Sequence, residues 1–284
     1  MTDNAVSRKL LIVNADDYGL TVGVSRAILH AHRAGVVTST SVLTLAPGFE
    51  KTAHWLHDAP ELGVGAHLAA VGEDPPLLSA REVPTLVDKK GKLWLSWRQF
   101  LPRAAAGRID PDDLRREFAA QLQKLDDAGL RIDHLDTHQN LHLWPMVRDV
   151  VFELGEQRGI RAVRVTRSAA RTGVGLVVSR LARDLERHAN RRGWVYPEAS
   201  TGLDEAGNLE LAAMLAAIGR LAATGARSAE LATHPGEHGD PDLVRYEWEY
   251  RWAYELDALC RASVRHAIED LGFELATFAD LAEV

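Results

Sequence analysis

Short apolar runs alternate with segments of helical periodicity along most of the 284 residues, and this alternation limits the possible folds strongly. The first run, residues 9–14, is apolar and β-branched, and a periodic segment over residues 22–34 follows it. Such a pattern predicts a strand, a loop and a helix. Further strands are predicted over residues 38–45, 62–68, 131–136, 162–166, 228–233 and 273–276. Strands separated in this way by helices predict a parallel β/α architecture with six or seven strand-helix units.

Residues 70–109 interrupt the alternation. They are rich in Pro and Gly and contain a predicted hairpin near residues 89–92, so we expect an insertion over one end of the sheet. Asp110 then provides a helix N-cap, with Pro111 at the first helical position. Later helices are predicted over residues 145–157, 174–192, 209–223 and 246–270. We expect one domain over residues 1–284, because β/α barrels commonly reach about 250 residues.

Charge and composition exclude several classes of protein. The formal net charge of −7 argues against a nucleic-acid partner, since such binding needs a clustered cationic field. Cys260 is the single cysteine, which fits a reducing compartment. The sequence has no signal-type apolar stretch and no run of about 18 apolar residues. We therefore expect a cytoplasmic protein that does not span a membrane.

Reactive side chains follow the predicted strands. Asp16 and Asp17 come directly after the first strand, and His67 ends the third. His138 follows the fourth strand and His234 follows the sixth. Right-handed crossovers bring the loops after parallel strands to one end of the sheet, where the active sites of β/α proteins lie. These stretches are therefore predicted to meet.

Each of these signals also has a simpler explanation. The neighbouring carboxylates of Asp16 and Asp17 need a counter-cation or a shared proton, but Asp-Asp-Tyr-Gly is also a common kind of turn. His67 could be a buried histidine with an internal partner. The segment from His134 to His142 is more informative, because strand alternation points residues 134, 136 and 138 the same way.

Two histidines and one carboxylate, with other positions open to water, are typical of a catalytic metal site. An ion in such a site lowers the pKa of its bound water from 15.7 towards about 7 and polarises a carbonyl oxygen. With Asp17 on the ion, Asp16 would be a base facing the metal-bound water, and His234 would be an acid for the leaving amine. His234 could instead be a loop histidine beside a Pro-Gly turn, and His238 is a less well placed candidate acid.

Four motifs occur in order along the chain: NADDYGL from residue 14, GAHL from 65, HLDTHQNLHL from 134 and THPGE from 233. Together they resemble the landmarks of the YdjC-like carbohydrate deacetylase family, which includes chitooligosaccharide deacetylase and the deacetylase of hopanoid biosynthesis. The resemblance implies an α/β protein with a distorted (β/α) barrel. It also implies a hydrolase that uses one divalent metal ion to remove an N-acetyl group from an amino sugar.

The same resemblance assigns roles to individual residues. It places the base at Asp16, the metal ligands at Asp17, His67 and His138, and the acid at His234. Many members of the family have His-His-His-x-His in the third motif, whereas this chain has Gln and Asn at positions 139 and 140. Neither position is an expected metal ligand, so this departure concerns substrate contacts near that loop.

Further side chains near the predicted site are candidate substrate contacts. His142 and Trp144 belong to or follow the histidine motif, and Arg164 follows the fifth strand, where it could bind substrate or orient Asp16. Three tyrosines would share one face of the last long helix, at positions 246, 250 and 254. Such a stripe is more typical of a core or subunit interface than of a carbohydrate platform, and it suggests a homodimer.

Several alternatives stay open at this point. A site of one Asp and two His suits zinc, cobalt, manganese or nickel, and it holds magnesium less naturally. The amino sugar could belong to a free chitooligosaccharide, a glycolipid head group or a secondary metabolite. The protein could also be a metal-dependent hydrolase of a non-sugar ester or amide, or a catalytically silent sugar-binding protein.

Overall fold

The computed structural model describes residues 8–171 and 173–283, and its centre is a parallel β-sheet. Within these residues the sheet has seven strands, and its six strand pairs are all parallel. The strands are β1 (Lys9–Tyr18), β2 (Ser39–Val42), β3 (Gly63–Leu68), β4 (His134–Thr137), β5 (Ala199–Thr201), β6 (Ser228–Thr233) and β7 (Phe273–Leu275). The predicted parallel β/α architecture is therefore confirmed.

The strands follow the order β4-β3-β2-β1-β6-β5, and β7 pairs with the first residues of β1. Isolated parallel bridges continue the pairing beyond β4, from Leu135 to Val163 and from Ala162 to Val195. Val195 lies shortly before β5 in the chain, so the pairings run round from β4 towards β5. The sheet thereby curls into a half-barrel, which is consistent with the predicted distorted (β/α) barrel.

Helices flank the sheet. Among the described residues they are α1 (Val22–Ala34), α2 (Phe49–Thr52), α3 (Trp97–Ala105), α4 (Pro111–Asp127), α5 (Pro145–Arg158), α6 (Val174–Arg192), α7 (Leu211–Ala223), α8 (Trp252–Leu259) and α9 (Ala262–Asp270). Short 3₁₀ turns lie at Ala53–Asp58, His138–Leu143, Pro241–Arg245 and Ala279–Glu283. In the part of the chain that the structure describes, no helix is long and apolar enough to cross a lipid bilayer.

Local chemistry explains where two of these helices begin. The Thr21 hydroxyl accepts a hydrogen bond from the Val24 amide at 2.9 Å and so caps α1. The Asp110 carboxylate accepts one from the Asp112 amide at 2.9 Å, with Pro111 in the first turn, as predicted.

The centre of the core is β1. Leu11, Ile12 and Val13 are all fully buried, as expected for a parallel strand with both faces covered. Burying such a side chain stabilises the fold by about 1.5–3 kcal/mol. β1 also pairs with three other strands, which holds its carboxyl end in a rigid frame.

The insertion follows β3 and packs against α4. Its predicted hairpin is present, with an antiparallel bridge between Val87 and Leu93 and a 2.7 Å hydrogen bond from the Asp88 amide to the Lys92 carbonyl. The buried Glu117 carboxylate of α4 accepts hydrogen bonds from the amides of Leu77 and Leu78 at 3.0 and 3.1 Å. The buried side chain of Glu117 thus ties the insertion to α4.

Two predicted elements are wrong. Residues 162–166 form only isolated parallel bridges, through Ala162 and Val163, rather than a full strand. The helix predicted over residues 246–270 is split into α8 and α9, and residues 246–251 are non-helical, with Glu249 at a φ of 56°. Tyr and Trp are weak helix formers, and here their rings pack on one another instead. The tyrosines therefore form no helical stripe, and the argument for a homodimer loses its basis.

Candidate active site

A cleft of about 590 Å³ opens where β1, β3, β4 and β6 end. The five residues predicted to carry the chemistry all line it: Asp16, Asp17, His67, His138 and His234. The insertion forms part of its wall through residues 95–98. The sequence-predicted residues from four separated stretches are thus brought together.

The two aspartates lie within the irregular end of β1 rather than after it. The pairing of β1 with β2 shifts register between Ala15 and Tyr18, and Asp17 has a φ of 67°. In a regular strand, neighbouring side chains point to opposite faces. The shift allows both Asp16 and Asp17 to line the cleft, and Asp tolerates the left-handed conformation better than most residues.

Asp17, His67 and His138 converge on one point. The Oδ1 atom of Asp17 lies 3.5 Å from Nε2 of His67 and 3.5 Å from Nδ1 of His138. Ligand atoms about 2.1 Å from a shared tetrahedral ion would lie roughly 3.4 Å apart. The residues present therefore fit one divalent ion.

The state of Asp17 supports the same conclusion. Its Oδ1 atom is buried and has no hydrogen-bond partner among the described residues, which is costly for a carboxylate unless a cation approaches it. Burial raises the pKa of Asp17, but the opposing effects of His138 and His67 outweigh burial and lower this pKa to about 2. Asp17 is therefore ionised at neutral pH.

Asp136 orients His67 from behind. Its Oδ1 atom lies 2.7 Å from Nδ1 of His67, and its Oδ2 atom accepts a hydrogen bond from the Ser41 hydroxyl at 2.8 Å. A proton on Nδ1 leaves Nε2 as the electron-pair donor facing Asp17. On the neighbouring side, Gly65 lies directly against the His134 ring. A Cβ atom at position 65 would come within 2.2 Å of that ring, so a larger residue would disturb the site.

Arg164 lies at the bottom of the cleft and contacts three carboxylates. Its guanidinium binds both oxygens of Asp16 at 2.6 Å, Asp136 at 2.8 Å and Glu230 at 2.7 Å. Two parallel hydrogen bonds from a guanidinium fix the plane of a carboxylate. The side-chain amide of Asn14 donates a further hydrogen bond to Oδ1 of Asp16 at 2.7 Å. Arg164 is 2% exposed, so its contacts orient Asp16 from inside the protein.

His234 faces Asp16 from the end of β6. Its Nε2 atom lies 3.8 Å from Oδ2 of Asp16, and its backbone amide donates to the buried Glu255 carboxylate at 2.6 Å. Its ring packs edge-on against Tyr250, with centroids 5.0 Å apart. By contrast, His238 is exposed and pairs with Asp257 at 3.2 Å, outside the residues that line the cleft.

The structure places two predicted substrate contacts outside the cleft. The buried His142 accepts a hydrogen bond from the Thr137 hydroxyl at 2.9 Å and donates one to the Arg164 carbonyl at 3.1 Å. Burial lowers the pKa of His142 to about 4, so its ring is neutral and supports the loop. Trp144 is half-buried and packs against the hydrophobic core.

Sequence reasoning missed several residues of the cleft. Glu230 is a buried glutamate in β6, and its Oε2 atom has no hydrogen-bond partner within the described ranges. A charged residue inside an apolar strand was the available signal. Trp248 and Tyr250 also line the cleft, and Trp248 packs on the His138 ring at 5.2 Å. The sequence had offered the aromatic residues of this segment as possible sugar contacts but favoured a role in packing.

Comparison with known proteins agrees with this geometry. A family described as YdjC-like protein matches residues 10–270. The chain belongs to the YdjC-like family. A chitooligosaccharide deacetylase of Proteus mirabilis is 30% identical over 275 residues, which cover 96% of this chain and 98% of the relative. A carbohydrate deacetylase of Brevibacillus brevis is 35% identical over 147 residues, 52% of this chain and 56% of the relative.

A solved structure shares the fold of this YdjC-like chain. It comes from Enterococcus faecalis and is named for cellobiose-phosphate cleavage. Its TM-score is 0.79 at 27% identity, and the match covers 97% of this chain and 99% of that one. The match extends over nearly the whole of both chains, so it includes the sheet and the insertion.

Proposed function

We propose that this YdjC-like protein is a metal-dependent hydrolase that removes the N-acetyl group of an amino sugar. The proposal depends most on one observation. The Asp17 Oδ1 atom faces His67 and His138 in the cleft and has no hydrogen-bond partner in residues 8–171 and 173–283. Asp16 and His234 line the same cleft. Relatives named chitooligosaccharide deacetylase and carbohydrate deacetylase support the choice of substrate class.

Asp17, His67 and His138 would hold one divalent ion. Bound there, the ion would lower the pKa of a water molecule and polarise the amide carbonyl. Two imidazoles and a carboxylate suit zinc, cobalt, manganese or nickel better than magnesium.

Asp16 is the proposed base. The two adjacent aspartates have different partners, since Asp17 faces imidazoles whereas Asp16 is held by the Arg164 guanidinium. Arg164 keeps the carboxylate in one orientation at the bottom of the cleft, where it can accept the proton of an attacking water. Different surroundings thus separate the roles of two neighbouring carboxylates.

His234 is the proposed acid. It stands beside Asp16, at the end of a different strand, and Glu255 anchors its backbone. From this position a protonated His234 can donate to the amine nitrogen as the amide bond breaks. Proton transfer by a positioned side chain of this kind contributes about 10²- to 10⁴-fold to a rate.

The shape of the cleft suits a small glycoside. Its volume of about 590 Å³ is within the usual range of small-molecule sites. Trp97, Trp248 and Tyr250 contribute flat aromatic surfaces to its lining. A free oligosaccharide and the head group of a glycolipid both present the same N-acetylated ring to such a site.

The test measures metal content together with acetate release. Purified protein is treated with a chelator, reloaded with zinc, cobalt, manganese, nickel or magnesium, and assayed on N-acetylglucosamine, its disaccharide, a glycolipid conjugate and simple acetyl esters. We expect one ion per chain, loss of acetate release on chelation and recovery on reloading. Activity on esters alone would indicate another hydrolase, and sugar binding without acetate release would indicate a silent binding protein.

A further inference from the structure

The loop after His138 contains two consecutive residues in the left-handed region. Gln139 has a φ of 54° and Asn140 a φ of 55°. This conformation is unfavourable for residues with a Cβ atom, so the surroundings must hold it in place. The side-chain Oδ1 atom of Asn140 accepts a hydrogen bond from the Thr166 hydroxyl. The Gln139 side chain reaches in another direction, to the insertion.

Gln139 binds the backbone of the insertion at the start of α3. Its Oε1 atom accepts a hydrogen bond from the Trp97 amide at 2.9 Å, and its Nε2 atom donates to the Leu95 carbonyl at 3.3 Å. The side-chain amide of Gln139 therefore bonds both an N–H group and a carbonyl group of a backbone segment that is more than 40 residues away in sequence.

The Trp97 amide needs such a partner. Trp97 is the first residue of α3, and the first amides of a helix have no acceptor within the helix. Ser96 occupies the N-cap position, but its side chain makes no capping bond in the structure described. Gln139 supplies the missing acceptor from a different part of the fold.

Trp97 is also part of the cleft wall. The residue lines the cleft, and the Arg98 guanidinium lies over its indole ring, 4.7 Å from the ring centroid. Flat aromatic rings are suitable surfaces for the apolar faces of sugars. Any shift at the start of α3 would therefore move this wall relative to the proposed metal ligands.

We propose that Gln139 is a positioning residue that caps α3 and so fixes Trp97 as the surface on which a sugar ring of the substrate stacks. The capping part of the proposal is independent of activity, whereas the sugar part rests on the proposed function. Gln139 joins the loop of His138 directly to this wall, so the hydrolytic centre and the substrate platform keep a constant separation.

The test uses Gln139→Asn. Asparagine accepts the left-handed conformation at least as well as glutamine, so the loop keeps its backbone preference. Its side chain is one methylene shorter and cannot span the same gap. Gln123→Asn is the matched control, because Gln123 lies on the exposed surface of α4 and bonds only to Asp127, at 2.8 Å, in the described structure.

Three quantities are measured in both variants and in the wild type. We expect hydrogen exchange of the peptide 94–100 to become about three- to tenfold faster in Gln139→Asn, as loss of one hydrogen bond implies. KM for the N-acetylglucosamine disaccharide should rise by a similar factor, with kcat within about twofold and metal content unchanged. Trp97→Ala should also raise KM for the disaccharide. Gln123→Asn should match the wild type in exchange rate, KM and kcat.

Two outcomes would overturn the proposal. Unchanged exchange of the peptide 94–100 in Gln139→Asn would show that Gln139 does not cap α3. A fall in kcat with KM unchanged would show that the residue acts on hydrolysis rather than on substrate placement. Failure of the wild type to release acetate from any sugar would instead refute the proposed function, while the exchange measurement would still decide the capping role.

Discussion

Replacement of Arg164 by methionine is expected to destabilise the protein strongly. The guanidinium is 2% exposed and contacts three carboxylates at distances between 2.6 and 2.8 Å. Methionine fills much of the volume but leaves these charges without a cation. Removing one partner of a buried ion pair costs about 3–5 kcal/mol. A typical domain has a total free energy of unfolding of only about 5–15 kcal/mol.

The expected loss converts into a large change in melting temperature. A chain of this size loses about 2–4 °C per kcal/mol, so the melting temperature should fall by about 6–20 °C. Thermal unfolding followed by circular dichroism at pH 8 measures this change. Arg187→Met is the matched control, because Arg187 pairs with Asp184 on the exposed side of α6. An exposed pair contributes at most about 1 kcal/mol, so the control should shift by less than about 4 °C.

The pH dependence provides a second check of the same reasoning. In the wild type, burial raises the pKa of Asp136, but Arg164 and His67 outweigh burial and hold it below its usual range. The methionine variant lacks the stronger of these two charges, so burial pushes the pKa of Asp136 upwards. A group with a raised folded-state pKa destabilises the fold at high pH, and protonation relieves this penalty as the pH falls.

The difference in melting temperature between variant and wild type should therefore narrow from pH 8 to pH 5. A difference below about 2 °C at pH 8 would refute the assigned cost of the buried charges. A difference that stays constant with pH would refute the electrostatic origin of the effect.

The other predictions concern catalysis, metal binding and substrate binding. Asp16→Asn should lower kcat for acetate release by about 10²- to 10⁴-fold with metal content unchanged, and full activity would exclude Asp16 as the base. His67→Ala should lose the ion in elemental analysis, and a full complement of metal would remove His67 from the ligand set. Asp136→Asn should weaken metal affinity about 10- to 100-fold in a chelator competition, because the proton on His67 loses its negatively charged acceptor. Trp248→Ala should raise KM for amino-sugar substrates while kcat changes little, and an unchanged KM would exclude a contact between Trp248 and the sugar.

Elements with one strong local signal were predictable from the sequence. The predicted bounds of β6 (Ser228–Thr233) and α6 (Val174–Arg192) agree with the structure, and α4 begins at Pro111 after its Asp110 cap. Their apolar spacing and capping residues act over a few neighbouring positions. The meeting of the strand-end residues was predictable for a geometric reason, since parallel strands end at the same edge of a sheet.

Features that depend on distant partners were not predictable in this way. Residues 246–251 have helix-like spacing of tyrosines, but ring packing and the wall of the cleft decide their conformation. Arg164 could be proposed as a partner of Asp16, but its contacts with Asp136 and Glu230 join three separate strands. His142 belongs to a reactive motif, and only the fold shows that its ring supports a loop.

The Arg164 cluster implies a particular charge balance at the base of the cleft. Asp16, Asp17, Asp136 and Glu230 could contribute four negative charges there, and the guanidinium offsets one of them. Burial raises the pKa of Glu230, although the Arg164 guanidinium opposes this. A dication at Asp17 would offset two further negative charges. An ion present at a concentration 100 times its dissociation constant would add about 2.7 kcal/mol to the free energy of unfolding. The melting temperature measured with different metals would therefore report which ions the protein binds, without any substrate.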